Sequence, residues 1–387
     1  MLGLESLTKS ISGVLETVAK ESVNSFRLHS GACDILIVRH GDHLRSSAWH
    51  VHTGKDISVG ENALVRLQVT GVETEISLRI GDDKKCFFEG GAGDLRPSQD
   101  ELAALQLKTG FNEAKFCIVE LNGQTMRWDT KAQIPAGIFL WDASDKVVVA
   151  DVEGPVVKGD LWSKGADVVM LATSKQPVEG VPGGLENVRE GVSPFLSYLD
   201  RAGYRVLFLT SAPITRADRV RDTMNSIRQA EVQQWGRGAS VPASPIMTSP
   251  DRMGTVLMRK LSDRTLGKLT GGAEQTSTKE RALTELRALF ASEEEQRGPA
   301  PAAGAEREKE KASGGPFCGG LCENALDAAM YEAAGVPKER IFVIDKIGRV
   351  EAFSKEHAHL VWASYVDMYP ALTHVFPKTA RVSRSAQ

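Results

Sequence analysis

From residue 147 onward, short apolar strands and amphipathic helices take turns along the chain, an order that a parallel sheet with right-handed crossover helices satisfies. KVVVADVEG is a buried strand that runs into a glycine turn, and GVSPFLSYLDRAG is a helix that stops at Gly203. YRVLFLTSA repeats the strand and TRADRVRDTMNSIRQ the helix. STKERALTELRALF and ENALDAAMYEAAGV continue as helices before a late strand at RIFVIDKIG. Ligands of such sheets bind beyond the carboxyl ends of the strands, which places Asp151 and Ser211 at the edge of a site.

The upstream half has a different period. Between Cys33 and Glu89 the runs CDILIVRH, SAWHVHT, ALVRLQV, EISLRI and CFFEG are rich in β-forming residues and separated by Gly, Asp and Asn turns. They predict an antiparallel β module. After the Gly/Asp-rich stretch GGAGDLRPSQDE, the segments AKFCIVEL and AGIFLWDAS return to strand character, so the module takes strands from both sides of that connection. The fold class is therefore α/β plus all-β. At the start of the chain Leu2, Leu4, Leu7, Ile11, Val14, Leu15 and Val18 recur at helical spacing. This amphipathic helix either docks on the domain or lies in a membrane interface.

Two insertions interrupt the α/β pattern. Residues 162–190 are Gly/Pro-rich and follow the first strand, where a lid over the site would be rooted. Residues 291–315 are charged and Pro/Ala-rich, the composition of a disordered surface loop. A chain of 387 residues with 42% hydrophobic content has material for two or three domains with real cores. Lys and Arg total 47 against 50 Asp and Glu, a net charge of −3, so no contact with nucleic acid is expected. No apolar run approaches the roughly 18 to 20 residues of a membrane span, and no secretory signal is visible, which points to the cytoplasm or nucleus. The five scattered cysteines suit reduced thiols, and Cys318 and Cys322 lack the paired motif of a zinc site.

The chemistry concentrates after the first α/β strand. Asp151 and Glu153 leave its end spaced to face one crevice, where one acid can attack phosphorus while the other protonates the leaving oxygen and later activates water. Mg²⁺ would neutralise the phosphate and the nearby carboxylates. Thr210 and Ser211 end the next strand with hydroxyls able to bond a phosphate oxygen, and Lys279 opens a helix with a balancing cation. Glu323 and Asp327, four apart, read as metal ligands on one helix face. Taken singly, Ser211 can be a helix cap, Lys279 a solvated charge and the acid pair a hydrophilic face. Their order along one fold argues for shared use.

That order resembles the haloacid dehalogenase superfamily, and the wider pattern resembles the lipins, Mg²⁺-dependent phosphatidate phosphatases. The resemblance is carried by SGACDILIVRHGDHLRSSAWHVHTGK, LQLKTGFNEAKFCIVE, AGIFLWDASDKVVVADVEG, AGYRVLFLTSAP, PIMTSP, AAGVPKERIFVIDKIG and HVFP. It implies an immunoglobulin-like β domain built from two regions beside a haloacid dehalogenase-like doubly wound sheet. The implied layout is a helix at 1–24, the N-terminal β region at 25–90, a linker at 91–104, completing strands at 105–146, the catalytic domain at 147–377 and a basic tail at 378–387. It also implies hydrolysis of phosphatidate to diacylglycerol and phosphate at a membrane. Asp151 would be the nucleophile, Glu153 the acid and base, and Ser211 with Lys279 the phosphate grip. Asp151, Glu153 through its carbonyl, Asp327 and Glu323 would hold or assist the metal. Since that substrate lies in a membrane, the resemblance favours Leu4, Leu7, Ile11 and Leu15 as a membrane-contacting face, with peripheral attachment to endoplasmic reticulum or nuclear envelope. The catalytic motif departs from the family's Asp-x-Asp-Gly-Thr: here it is Asp151-Val152-Glu153-Gly154-Pro155. The alternative reading is an impaired lipin-like protein that binds phosphatidate without turning it over.

Overall fold

The computed structural model describes residues 30–54, 57–60, 62–88, 94–159, 185–229, 239–251, 278–292 and 315–379. The N-terminal helix with Leu4, Leu7, Ile11 and Leu15, most of both insertions and the end of the tail lie outside the described residues.

A short ribbon pairs β1 (Gly31–Ala32) with β4 (Val51–His52). The main β module contains β2 (Ile35–His40), β3 (His43–Ser46), β5 (Leu64–Val69), β6 (Val72–Ile80), β7 (Cys86–Phe87), β8 (Gly110–Asn122) and β9 (Arg127–Asp142). They form one seven-stranded sheet in the order β3-β2-β9-β8-β5-β6-β7. As the sequence predicts, strands from both sides of the connection share the sheet. One pairing departs from the antiparallel expectation: β2 runs parallel to β9, with Ile35 opposite Ile138 and Val38 opposite Trp141. A hairpin joins only neighbours in sequence, whereas these strands are separated by the whole intervening module. The expected linker also holds a short helix, α1 (Gln99–Ala104), closed by a capping box between Ser98 and Glu101. Alternate residues Ile35 and Ile37 face the module's own core with Trp49, Val65, Leu67, Phe116 and Ile138.

The second sheet is the parallel one. β10 (Lys146–Asp151) lies at its centre between β11 (Tyr204–Pro213) and β15 (Phe317–Cys322), flanked by β14 (Ile246–Ser249) and β16 (Ile341–Ile344). The first four neighbour pairs are parallel; β17 (Val350–Ala352) and β18 (Val361–Trp362) add an antiparallel edge. A further ribbon joins β12 (Arg228–Gln229) to β13 (Ala239–Ser240). In chain order the five parallel strands stand 3-2-1-4-5, so direction reverses between β10 and β15, where a doubly wound sheet opens its crevice.

Both faces are covered, which is why β10 reads as an unbroken apolar run. Val148 and Ala150 face a core shared with Phe195, Leu196 and Leu199 of α2 (Val192–Arg201). A further helix, α3 (Ala217–Ser226), adds Val220 and Met224 to that core. Val147 and Val149 face the opposite core, with Leu283 and Leu286 of α4 (Thr278–Phe290) and Tyr331 of α5 (Ala325–Ala333). Leu36, Val38, Phe139 and Trp141 of the β module belong to that same cluster. The two sheets therefore share buried surface.

Candidate active site

Strand parity decides where Asp151 points. It follows Val147 and Val149 at intervals of two and so faces the side occupied by α4 and α5. Lys279, in the first turn of α4, places Nζ 2.9 Å from Asp151 Oδ1 and 3.2 Å from Asp327 Oδ2. Tyr331 donates its hydroxyl to the same Oδ1 at 2.8 Å. The other oxygen, Oδ2, is buried and has no hydrogen-bond partner among the described residues. Burial pushes the Asp151 carboxyl up to about 7, against the pull of Lys279 and Tyr331. For Lys279 burial opposes the charge, but Asp151, Asp327 and Glu153 outweigh it and raise the pKa.

Glu153 follows the strand and is buried at 7% exposure. Its carboxylate accepts from Thr210 Oγ1 at 2.5 Å and, at the outer limit of a hydrogen bond, from the Ser211 backbone N–H at 3.4 Å. Thr210, which the sequence offers as a phosphate-binding hydroxyl together with Ser211, thus has its proton directed at Glu153. Between the acids and the next element stands Gly154, with φ of +88°; a Cβ there would lie 2.5 Å from Cβ of Glu323. Only glycine lets the turn pass so close. Pro155 leaves its carbonyl to the Tyr365 hydroxyl at 3.1 Å.

The expectation that Glu323 and Asp327 share a helix face is corrected. The helix α5 starts at Ala325, with Asn324 as its N-cap, so Glu323 lies in the preceding turn against Gly154 while Asp327 sits in the first turn. Asn324 accepts from the backbone N–H groups of Leu326 and Asp327 at 3.0 and 2.9 Å and donates to Asp327 Oδ2 at 3.1 Å. A capping side chain ends the helix where the sequence pattern alone runs on through Glu323. Among the described residues no three His, Cys, Asp or Glu side chains converge as a metal cluster. Lys279 lies between Asp151 and Asp327.

Two residues escaped the sequence reading. Tyr331 sits one helical turn beyond Asp327, and its ring closes on Gly320, where a Cβ would meet Cδ2 at 2.6 Å. The paired glycines of FCGGLC were its one available signal. Arg189 is buried and joins the crevice loops, donating to the carbonyls of Gly154 at 2.7 Å, Asp345 at 2.8 Å and Lys346 at 3.0 Å. Nothing local in its Gly/Pro-rich surroundings marks it.

This constellation can be set beside known proteins. Residues 93–377 match the LNS2 (Lipin/Ned1/Smp2) family, and residues 5–106 match the lipin N-terminal conserved region. The chain belongs to the lipin family. It is 28% identical over 74% of its length to nuclear elongation and deformation protein 1 of Schizosaccharomyces pombe, covering 35% of that protein. Phosphatidic acid phosphohydrolase 1 of Saccharomyces cerevisiae is 26% identical over 73% of the chain and 27% of its own length. For phosphatidate phosphatase PAH1 of Arabidopsis thaliana the identity is 24% over 74% of the chain and 25% of that protein. The chain thus spans between a quarter and just over a third of the length of these relatives.

Proposed function

We propose that this chain is a lipin-type phosphatidate phosphatase acting on lipid at a membrane surface. The observation that carries the reading is the divided carboxylate of Asp151: Lys279 and Tyr331 hold Oδ1 while buried Oδ2 has no partner among the described residues, at the carboxyl end of the strand at the middle of the parallel set. A nucleophile needs one oxygen fixed and the other available.

In this mechanism Asp151 attacks the phosphorus of phosphatidate to form an aspartyl-phosphate. Glu153 protonates the departing diacylglycerol oxygen and then takes a proton from the water that hydrolyses the intermediate. Lys279 and Ser211 grip the phosphate, and Arg189 fixes the Gly154 turn. Phosphatases of this type usually need a divalent metal, and Mg²⁺ fits the chemistry of the donors present. Asp151, the Glu153 carbonyl and Asp327 would hold it, with Glu323 beside them. When bound, it would neutralise phosphate charge. The immunoglobulin-like reading of the β module rests on the family resemblance, and the sharing of one core by strands from both regions fits its split origin. Among the described residues no helix is long and apolar enough to cross a membrane. Peripheral attachment through Leu4, Leu7, Ile11 and Leu15, at endoplasmic reticulum or nuclear envelope, fits a lipid substrate.

A second reading, binding without turnover, is favoured by the grip of Thr210 on Glu153. Glutamate is one methylene longer than the family's aspartate, and a displacement of about 1 Å can cost on the order of a hundredfold in rate. The test is phosphate release from phosphatidate in mixed micelles, with and without Mg²⁺. Mg²⁺-dependent release that disappears in Asp151→Asn is the expected result. Release absent from the native chain and present in Glu153→Asp would establish the second reading.

A further inference from the structure

We propose that the β module sets the position of Lys279 by gripping the far half of the helix that carries it, making Arg96, Glu285, His40 and Arg45 positioning residues for the site. The site itself is the one read above as a phosphatase centre, and the inference rests on that reading for its consequence in rate.

Lys279 stands at the amino end of α4, where the helix dipole is positive and disfavours an ammonium. Its two carboxylate partners hold the charge, so the helix needs an anchor elsewhere. That anchor is on the β module. Glu285 accepts from the Ala48 backbone N–H at 2.8 Å and from Arg96 Nη2 at 2.6 Å. Arg96 is itself fixed by a bond from Nε to the Ser46 carbonyl at 3.1 Å. At the carboxyl end, His40 Nε2 lies 2.7 Å from the Leu289 carbonyl, and Arg45 donates to the carbonyl of Ala291. The Leu289 carbonyl belongs to the last turn, whose carbonyls lack partners within the helix, the Ala291 carbonyl follows just beyond it, and a basic side chain there also suits the negative dipole end.

An apolar contact reinforces the polar one. Leu283, Leu286, Leu289 and Phe290 share a core with Trp141 and Val38 of the β module, and the rings of Trp141 and Phe290 lie 6.5 Å apart. Thirteen residues of helix make a rod of about 20 Å. Pivoting such a rod by about 3° moves its far end by about 1 Å, a displacement that matters to a reacting group. Bonds on the β module are therefore felt at Lys279 Nζ.

The test uses the full chain with Arg96→Ala, Glu285→Gln and the conservative Arg96→Lys. Arg96 is 51% exposed at its side chain, so its truncation leaves the fold in place. The first readout needs no turnover: acylation of Lys279 by acetic anhydride, followed by mass spectrometry and referred to Lys115 on the β module. Loosening the helix frees Lys279 from Asp151 and Asp327, so its relative labelling should rise about threefold or more in Arg96→Ala and Glu285→Gln, in the range of coupling through packed elements. Arg96→Lys should stay close to native. The second readout is phosphate release, in which kcat should fall while KM changes little. A lowered melting temperature with unchanged Lys279 labelling in both variants would overturn the proposal. Raised labelling in a chain whose native form releases no phosphate would support the positioning and count against the phosphatase reading instead.

Discussion

The carboxylate of Asp151 carries two oxygens in opposite situations, one accepting from Lys279 and Tyr331 and the other buried without a partner among the described residues. Tyr331 matters because an isolated ion pair to Lys279 would leave the carboxylate free to rotate about its last bond. Replacing Tyr331 with Phe keeps the ring against Gly320 and removes only the proton donor. A hydrogen bond to a charged group contributes about 1.5 to 3 kcal/mol, so Tyr331→Phe should lower kcat by about tenfold or more while KM changes little. Steady-state kinetics check this; an unchanged kcat would mean that Lys279 alone orients the Asp151 carboxylate.

Among the elements, α5 shows what a single cap decides. Without Asn324 the helix would lose the acceptor for two backbone N–H groups and the donor that steadies Asp327. Asn324→Ala should cost about 1 kcal/mol of stability. In a chain of this size that is a fall of about 1 °C in melting temperature. Calorimetry checks the stability, and a parallel loss of the proposed phosphatase activity larger than the stability change would show that Asp327 had shifted. The strand β15, next to it, was missed in the sequence because Gly319 and Gly320 depress strand propensity. Those glycines admit the rings of Phe376 and Tyr331, so the weak strand signal and the packing requirement have one origin. The strand β14 was missed because only four residues, IMTS, stand between two prolines.

Across the whole molecule the seam between the sheets is built on buried polar groups. Asp34 is buried and accepts from Gly137 N at 2.8 Å, Ile246 N at 2.9 Å and Arg221 Nη1 at 2.9 Å, tying both sheets and α3 together. Beside it a cavity of about 190 Å³ is lined in part by His50, Cys33, Thr248 and Glu285. Burial lowers the His50 pKa below its ordinary 6.5; Glu285 pulls it up, and Arg96 and Lys85 push it down. A histidine depressed in the folded state adds stability that is complete above pH 6.5 and is lost as pH falls through the folded value. Stability measured by denaturant titration should therefore decline on acidification below that pH, and His50→Gln should flatten this part of the profile. An unchanged slope would place the acid sensitivity elsewhere.

The alternation after residue 147, the split β module and the order of Asp151, Ser211, Lys279 and Asp327 were all legible in the sequence, because periodicity and turn residues are local properties of the chain. The family followed from the same segments, and the comparisons bear it out. Tertiary structure alone decided that Lys279 bridges Asp151 and Asp327, that Tyr331 reaches Asp151, that Glu323 leaves the helix to pack on Gly154, and that the β module holds α4. Each of these joins residues far apart in the chain or turns on a side-chain direction, and a one-dimensional pattern carries neither distance nor direction.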